Sequence, residues 1–257
     1  LHLDYLVGKA IVVGIAKKTA STGPRRRPGN TGGADVAAPP PELASCMAVA
    51  IVRDTRLATL GENDRLNYFP ASPLVAITVV LHGQLRVSLK MCDPAALHCK
   101  AVQPQVFVTP PQTKPTLSWS DGSVHAITVG FYPDVWTQLG GDAATSELPQ
   151  VLENAVSVFV STDDHDRAWD NFCDALKPIW AQSRVTSQMP LWAGSHRIAD
   201  WTRHLLTRAA LSGAGQSARS FERRMKRWTG QSKQTLAAYA QLEDLLSLKI
   251  HEPEADL

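Results

Sequence analysis

The stretch at residues 217–230, SARSFERRMKRWTG, decides how the C-terminal part of the chain folds. Ser217 is a favourable N-cap for a helix, and Gly230 favours its end because glycine readily adopts the left-handed conformation found beyond helix C-termini. Three large apolar residues recur between them at spacings of four and three: Phe221, Met225 and Trp228. The spacing predicts one amphipathic helix whose apolar face packs against a core.

The opposite face of this helix is polar and mostly cationic. We expect Arg219 and Arg223 to read bases, because a guanidinium pairs in bidentate fashion with guanine, and Glu222 to accept from a cytosine amino group. The other basic side chains are expected to attract phosphates irrespective of base sequence: Arg224, Lys226 and Arg227. The predicted DNA-binding residues are the cap and the polar face, namely Ser217, Arg219, Ser220, Glu222, Arg223, Arg224, Lys226 and Arg227.

A second helical pattern precedes this stretch. Four apolar residues follow one another at spacings of three and four: Ile198, Trp201, Leu205 and Ala209. The chain then breaks at residues 211–215, LSGAG. Two helices joined by a short glycine-containing turn, the second one cationic, are typical of a helix-turn-helix whose second helix enters the major groove of DNA.

The charge distribution points to the same region. The whole chain holds 26 basic and 24 acidic residues and has a net charge of +2. Residues 197–233 hold nine basic and two acidic residues, which leaves +7 in this segment. Such a local excess indicates an anionic partner.

The chain before these helices is rich in short β-type runs. They lie at residues 47–52, 74–81, 85–89, 106–109, 116–119 and 124–131. Turn residues separate them, at 82–84, 109–111 and 121–123, and the last of these, Asp-Gly-Ser, has the chemistry of a hairpin turn. Strands at this spacing predict a small barrel or sandwich.

Four regions follow from these patterns. Residues 1–45 contain a stretch dominated by glycine, proline, alanine and threonine, with three consecutive arginines at 25–27, and we expect a disordered tail. Residues 46–140 form the β-rich domain, and residues 141–190 a helical connector. Residues 191–257 form the helix-turn-helix domain.

The stretch at 217–230 and the helix after it resemble the first helix-turn-helix and linker helix of the AraC/XylS transcription regulators. The family pattern ends in Gly-x-Ser-Pro; this chain keeps Gly230 and Ser232 but has Lys233 in place of proline. Residues 67–73, NYFPASP, and 124–133, VHAITVGFYP, extend the resemblance to the N-terminal domains of some members. In that family these domains are often β-rich, cupin-like modules that sense a small molecule or mediate dimerisation.

The resemblance also implies a second helix-turn-helix after the linker helix. The sequence holds only residues 250–257 beyond that helix, so the second unit is expected to be missing. A single unit buries limited surface and should bind DNA weakly by itself.

The sequence lacks the residue patterns that other kinds of functional site require. No Gly-x-Ser-x-Gly element or phosphate-binding glycine loop is present, so we expect no enzyme activity and no cofactor. Cys92, His98 and Cys99 lie close together without a second ligand pair at a recognised spacing, so a structural loop is favoured over a metal site. Four aromatic residues of the β-rich region are interpreted as core packing, with a ligand pocket as the alternative: Phe107, Trp119, Tyr132 and Trp136.

The compartment follows from cysteines and hydropathy. Four irregularly spaced cysteines do not form a disulfide framework, and no apolar run approaches the length of a membrane span. We therefore expect a cytoplasmic protein without a membrane partner.

Together these patterns predict an α+β protein, with a β-rich barrel or sandwich, which the resemblance implies is cupin-like and serves as a sensor or dimerisation domain, followed by an all-α helix-turn-helix domain. The predicted function is sequence-specific transcription regulation. Double-stranded DNA is the expected partner, with a small-molecule effector, RNA polymerase and a second copy of the chain as further candidates. The alternative is a cupin-like small-molecule-binding protein or enzyme whose helical tail mediates oligomerisation.

Overall fold

A computed structural model describes residues 34–161, 167–186, 197–212 and 217–251, with the side chains described as far as Asp244. Eight strands form two antiparallel sheets: β1 (Ala34–Ala37), β2 (Met47–Asp54), β3 (Leu66–Phe69), β4 (Val75–His82), β5 (Leu85–Ser88), β6 (Val106–Thr109), β7 (Thr116–Ser120) and β8 (His125–Phe131). The five-stranded sheet has the order β1-β2-β8-β4-β6, and the three-stranded sheet has the order β3-β7-β5.

Seven α-helices lie in the described residues: α1 (Pro94–His98), α2 (Pro133–Gln138), α3 (Gln150–Val160), α4 (Ala168–Thr186), α5 (Ile198–Leu211), α6 (Ala218–Thr229) and α7 (Lys233–His251). The protein is therefore a mixed α+β fold built on antiparallel sheets. None of the helices, over the residues described, combines the length and apolar character that a membrane crossing requires.

All six β-type runs predicted from the sequence are strands, with ends that differ by at most two residues. Two strands were not predicted, β1 and β3. Strand β1 corrects the prediction of a disordered tail over residues 1–45, because residues 34–37 pair with β2 from Ala34 opposite Arg53 to Ala37 opposite Ala50. Leu43 is fully buried in the same core, so the prediction is wrong for residues 34–45. Residues 1–33 lie outside the described residues.

The predicted hairpin at residues 121–123 is wrong. Strand β7, before this turn, pairs with β3 and β5, whereas β8, after it, pairs with β2 and β4. The turn therefore carries the chain from the three-stranded sheet to the five-stranded sheet. Its Asp-Gly-Ser chemistry favours a reversal of direction, but the partner of each strand is decided by which faces bury apolar side chains.

The neighbouring turn, at residues 82–84, also crosses between the sheets, and it lies against the first one. Gly83 has a φ of 82°, and a Cβ atom placed on it would lie 2.2 Å from the carbonyl oxygen of Ser123. Only glycine fits here, because the conformation is left-handed and the space for a side chain is already filled by backbone.

We expect Gly83→Ala to lower the free energy of unfolding by about 1–3 kcal/mol, since backbone strain and a steric clash add. Urea unfolding followed by circular dichroism measures this loss. Gly122→Ala is the matched control, because a Cβ atom there meets nothing within 4 Å. Its effect should stay within about 0.5 kcal/mol, and equal effects at the two glycines would contradict the account of the crossing.

The helices cover one face of the five-stranded sheet. Ile77 of β4 and Ile127 of β8 are 1% exposed and belong to one apolar cluster with Phe159 of α3 and Phe172 of α4. The same cluster continues into the C-terminal helices through Trp201, Leu205, Met225 and Leu236. The predicted β-rich and helical regions therefore share one continuous core in the described residues.

Candidate nucleic-acid interface

Helix α6 has the ends that the sequence predicts. The Ser217 side chain accepts a hydrogen bond from the Ser220 backbone N–H at 3.4 Å, as an N-cap does. Gly230 follows the helix with a φ of 70°, and its N–H donates to the Lys226 carbonyl oxygen at 2.8 Å. This left-handed residue closes the C-terminal turn. The positions of the polar side chains on α6 are therefore fixed by local sequence.

The apolar face of α6 packs as the spacing predicts. Met225 is fully buried, and Phe221 and Trp228 are half-buried against the same core cluster. Thr229 is also buried, and its hydroxyl donates to the Met225 carbonyl oxygen at 2.8 Å. Fixing this face in the core orients the opposite face toward solvent.

Four cations on the opposite face are exposed, and we refer to them as the cationic stripe: Arg219, Arg223, Lys226 and Arg227. With a rise of about 1.5 Å per residue, the stripe extends over about 12 Å. Glu222 lies exposed beside it, and Ser220 is half-buried. Arg223 contacts the Ser220 hydroxyl at 3.4 Å.

The cationic stripe is not neutralised within the part of the chain that the structure describes. No carboxylate there forms an ion pair with any of its four members. Three other cations of the basic segment do form such pairs, namely Arg197 with Asp244, Arg203 with Asp200 and Arg208 with Asp134. Folding therefore concentrates the unpaired charge on one face of α6.

Arg224, predicted to contact phosphate, lies apart from the stripe. It is half-buried, and one of its guanidinium nitrogens donates to the Ala209 carbonyl oxygen at 2.6 Å and to the Ser212 hydroxyl at 3.0 Å. These contacts satisfy acceptors at the C-terminus of α5, where helix carbonyls lack intrahelical partners. The geometry places Arg224 in the packing of α6 against α5, and it does not support the predicted phosphate contact.

The predicted glycine-containing turn between α5 and α6 falls mainly on residues 213–216, which lie outside the described residues. Helix α5 ends at Leu211 with Ser212 as its C-cap. Its predicted apolar stripe is confirmed, because Trp201, Leu205 and Ala209 are buried and Ile198 is half-buried.

A buried ion pair that sequence reasoning missed fixes α5 and α6 on α2. Asp134 accepts from the Trp201 indole N–H at 3.1 Å and from the Arg208 guanidinium at 3.0 Å. The two charged side chains are only 9% and 12% exposed. The guanidinium of Arg208 also lies 4.4 Å from the ring centre of Trp228, on the apolar side of α6. Residues 134 and 208 share no motif or spacing from which their pairing could be predicted. The sequence shows only that one is an aspartate and the other an arginine.

Three more hydrogen bonds connect the C-terminal helices to the rest of the fold. The Thr137 hydroxyl donates to the Trp228 carbonyl oxygen at 3.3 Å, the Gln231 amide to the Pro73 carbonyl oxygen at 3.2 Å, and the Tyr239 hydroxyl to the Gln112 carbonyl oxygen at 3.1 Å. Burial raises the pKa of Tyr239 to about 12, so it stays a donor at neutral pH. The stripe is presented by a helix held on several sides.

The remaining candidates occupy ordinary structural positions. His98 packs against Trp119 with ring centres 4.0 Å apart, and Cys92 borders the apolar cluster beneath α1. Within the described ranges, no three His, Cys, Asp or Glu side chains are grouped so as to hold a metal ion. Trp119, Tyr132 and Trp136 are buried as core residues, whereas Phe107 is half-buried.

No family model matches the chain, and no curated protein matches it. Among solved structures, the chain is similar to Phpd with cadmium and hydroethylphosphonate, at 13% identity and a TM-score of 0.24, covering 73% of this chain and 44% of that one. It is also similar to a mutant of hydroxyethylphosphonate dioxygenase, at 15% identity and a TM-score of 0.26, covering 91% of this chain and 50% of that one. The chain spans about half the length of these structures, and likenesses this slight carry no argument about fold or function.

Proposed function

We propose that the protein is a sequence-specific DNA-binding transcription regulator of the AraC/XylS type. In this proposal α5 and α6 form the helix-turn-helix unit, and the two sheets form a cupin-like unit that senses a signal. The observation that supports it most is the cationic stripe, which is exposed and unpaired among the described residues while the reverse face of α6 is fixed in the core. A surface of this kind suits a polyanionic duplex.

The roles along α6 follow from position. Side chains near the N-terminus of a recognition helix reach base edges, and those farther along it meet phosphates. Arg219 and Arg223 therefore read guanines, Glu222 accepts from a cytosine amino group, and Lys226 and Arg227 neutralise phosphates. No step of this mechanism makes or breaks a covalent bond.

A regulator of this kind gains affinity by dimerising, because two half-sites are then bound together. We propose a homodimer in which a small-molecule signal received by the sheets changes the separation of two α6 helices. RNA polymerase is the partner through which promoter occupancy would act. Whether transcription rises or falls is a separate property, measured with a reporter gene.

The first test measures DNA binding by fluorescence anisotropy, with promoter fragments and competitor DNA. The salt concentration is varied from about 50 to 200 mM, because affinity that depends on phosphate contacts falls steeply over this range. Arg223→Ala should lower affinity for the preferred sequence by about 1–3 kcal/mol and relax its base preference. Lys226→Ala should weaken binding to all DNA sequences alike. It should also reduce the salt slope, which is the slope of log affinity against log salt concentration, by about 1.

Lys90→Ala is the matched control, because Lys90 is exposed just beyond β5, on the three-stranded sheet. It removes the same charge, so an unchanged affinity would show that position matters. If Arg223→Ala and Lys226→Ala both bind like the unaltered protein, the proposed roles fail.

The alternative, a small-molecule-binding protein or enzyme with a helical oligomerisation tail, is favoured by one observation: Thr128, on the central strand of the five-stranded sheet, is half-buried rather than closed off from solvent. In that case DNA affinity would show no sequence preference above competitor. The stripe substitutions would then change the oligomeric state, which analytical ultracentrifugation measures.

A further inference from the structure

Arg223 differs from the other members of the cationic stripe in one respect. Its guanidinium donates a hydrogen bond to the Ser220 hydroxyl at 3.4 Å. Within the ranges that the structure describes, the side chains of Arg219, Lys226 and Arg227 form no hydrogen bond. Because Ser220 lies three residues earlier on α6, the contact holds the Arg223 side chain over the preceding turn, toward the N-terminus of the helix.

The hydrogen bonds around Ser220 have a defined direction. A guanidinium offers donors only, so the Ser220 hydroxyl oxygen is the acceptor in its contact with Arg223. The proton of this hydroxyl is then left for the Ser217 hydroxyl oxygen, which lies 3.3 Å away. Ser217 already acts as an acceptor there, because its side chain caps the Ser220 N–H at 3.4 Å. Arg223, Ser220 and the N-cap of α6 therefore form one hydrogen-bonded network.

Ser220 lies at the border of the cationic stripe. It is half-buried, whereas the four members of the stripe are exposed. At about 100° per residue, Ser220 lies about 40° around the helix from Arg224, which packs against α5, and about 60° from Arg223. A duplex lying on the stripe is therefore reached by the long Arg223 side chain, while the short Ser220 side chain lies beside it.

The contact prepares Arg223 for a base. An exposed arginine side chain has many rotamers, and binding to a base edge fixes one of them. A side chain that is already held in the binding direction loses less conformational freedom on binding. The Ser220 contact uses one of the five N–H donors of the guanidinium, which leaves enough donors for a bidentate pair with guanine. The direction is also suitable, because residues near the N-terminus of a recognition helix reach the base edges.

We propose that Ser220 is a positioning residue for DNA recognition: its hydroxyl holds Arg223 toward one guanine of the operator and does not itself contact the duplex. This inference rests on the proposed function, because it requires Arg223 to read a base. It gives Ser220, which the sequence predicts to bind DNA directly, a role that is exerted through Arg223.

Anisotropy titrations of the full chain with the preferred DNA fragment and its single-base variants test the proposal. The guanine concerned is the base at which Arg223→Gln loses discrimination. Ser220→Ala should reduce discrimination at this base by about three- to tenfold, the usual effect of one hydrogen bond. Affinity for competitor DNA and the salt slope should not change, because no phosphate contact is removed. Ser220→Thr keeps the hydroxyl and should restore discrimination.

A double-mutant cycle separates positioning from direct contact. If Ser220 acts through Arg223, Ser220→Ala should have no further effect on DNA binding when Arg223→Gln is already present. An equal loss in both backgrounds, or a loss on all DNA sequences alike, would show that Ser220 contacts DNA itself and would overturn the proposal. Alanine favours a helix, so the variant should keep its circular dichroism spectrum.

Ser212→Ala is the matched control, because the Ser212 hydroxyl also accepts from an arginine of α6, Arg224, at 3.0 Å. It should leave base discrimination unchanged, and a loss equal to that of Ser220→Ala would contradict the positioning role. If the unaltered protein shows no sequence preference, the proposed function fails and this inference fails with it. If a preference exists and Ser220→Ala leaves it intact, the inference alone is overturned.

Discussion

Asp134→Ala is expected to lower the free energy of unfolding by about 3–5 kcal/mol, because it leaves a buried arginine charge without its partner. The Arg208 guanidinium is 12% exposed and lies between Asp134 and the ring of Trp228. The substitution also removes the acceptor of the Trp201 indole N–H.

Chemical unfolding monitored by tryptophan fluorescence measures this loss, since Trp201 and Trp228 both adjoin the pair. Asp174→Ala is the control: it breaks the Lys177 pair on α4, whose side chains are 38% and 72% exposed. Exposed pairs of this kind contribute at most about 1 kcal/mol. A loss at Asp134 no larger than that at Asp174 would show that the α2 contact does not hold the C-terminal helices.

The second large effect is a loss of DNA binding that is not accompanied by a loss of stability. Replacing Arg219, Arg223 and Arg227 together with glutamine is expected to weaken DNA binding by about 100-fold at moderate salt, because two base contacts and one phosphate contact are lost. The slope of log affinity against log salt concentration should fall by only about one, since Arg227 alone of the three neutralises a phosphate. Stability should not fall. The three arginines follow one another at i, i+4 spacing, where like charges repel, so their removal relieves a small unfavourable interaction.

Anisotropy titrations and thermal unfolding of the same preparation measure both properties. The matched control replaces three exposed lysines of the β-rich region, Lys90, Lys100 and Lys114, with glutamine and changes the net charge equally. DNA affinity should be far less affected in the control. Equal losses in the two triple variants would mean that overall charge, and not the cationic stripe, attracts the duplex.

Much of the local structure could be predicted from the sequence. The bounds of α6 follow from Ser217, Gly230 and the apolar spacing between them, because capping and periodicity act over a few residues. Strand β1 was missed for the opposite reason. Its four residues, ADVA, carry no strong β pattern, and they become a strand by pairing with β2 at the sheet edge.

The candidate interface divides in the same way. The sequence places five arginines and lysines on α6, but it does not show that Arg224 turns toward α5 while the stripe stays exposed. Nor does it show that Arg53, on the five-stranded sheet, donates to the Asp64 carbonyl oxygen just before β3 of the other sheet. Those arrangements depend on which sheet each strand joins, and the misassigned turn at residues 121–123 shows that turn chemistry does not specify this.

By itself, therefore, the sequence determined six of the strands and the ends and two-faced character of α6, because propensity, capping and hydrophobic period are properties of neighbouring residues. Only the tertiary structure decided the sheet partners, the Asp134–Arg208 pair across 74 positions, and which cations remain unpaired. Burial and charge pairing join residues distant in sequence, and their energies depend on a shared environment that exists only once the chain has packed.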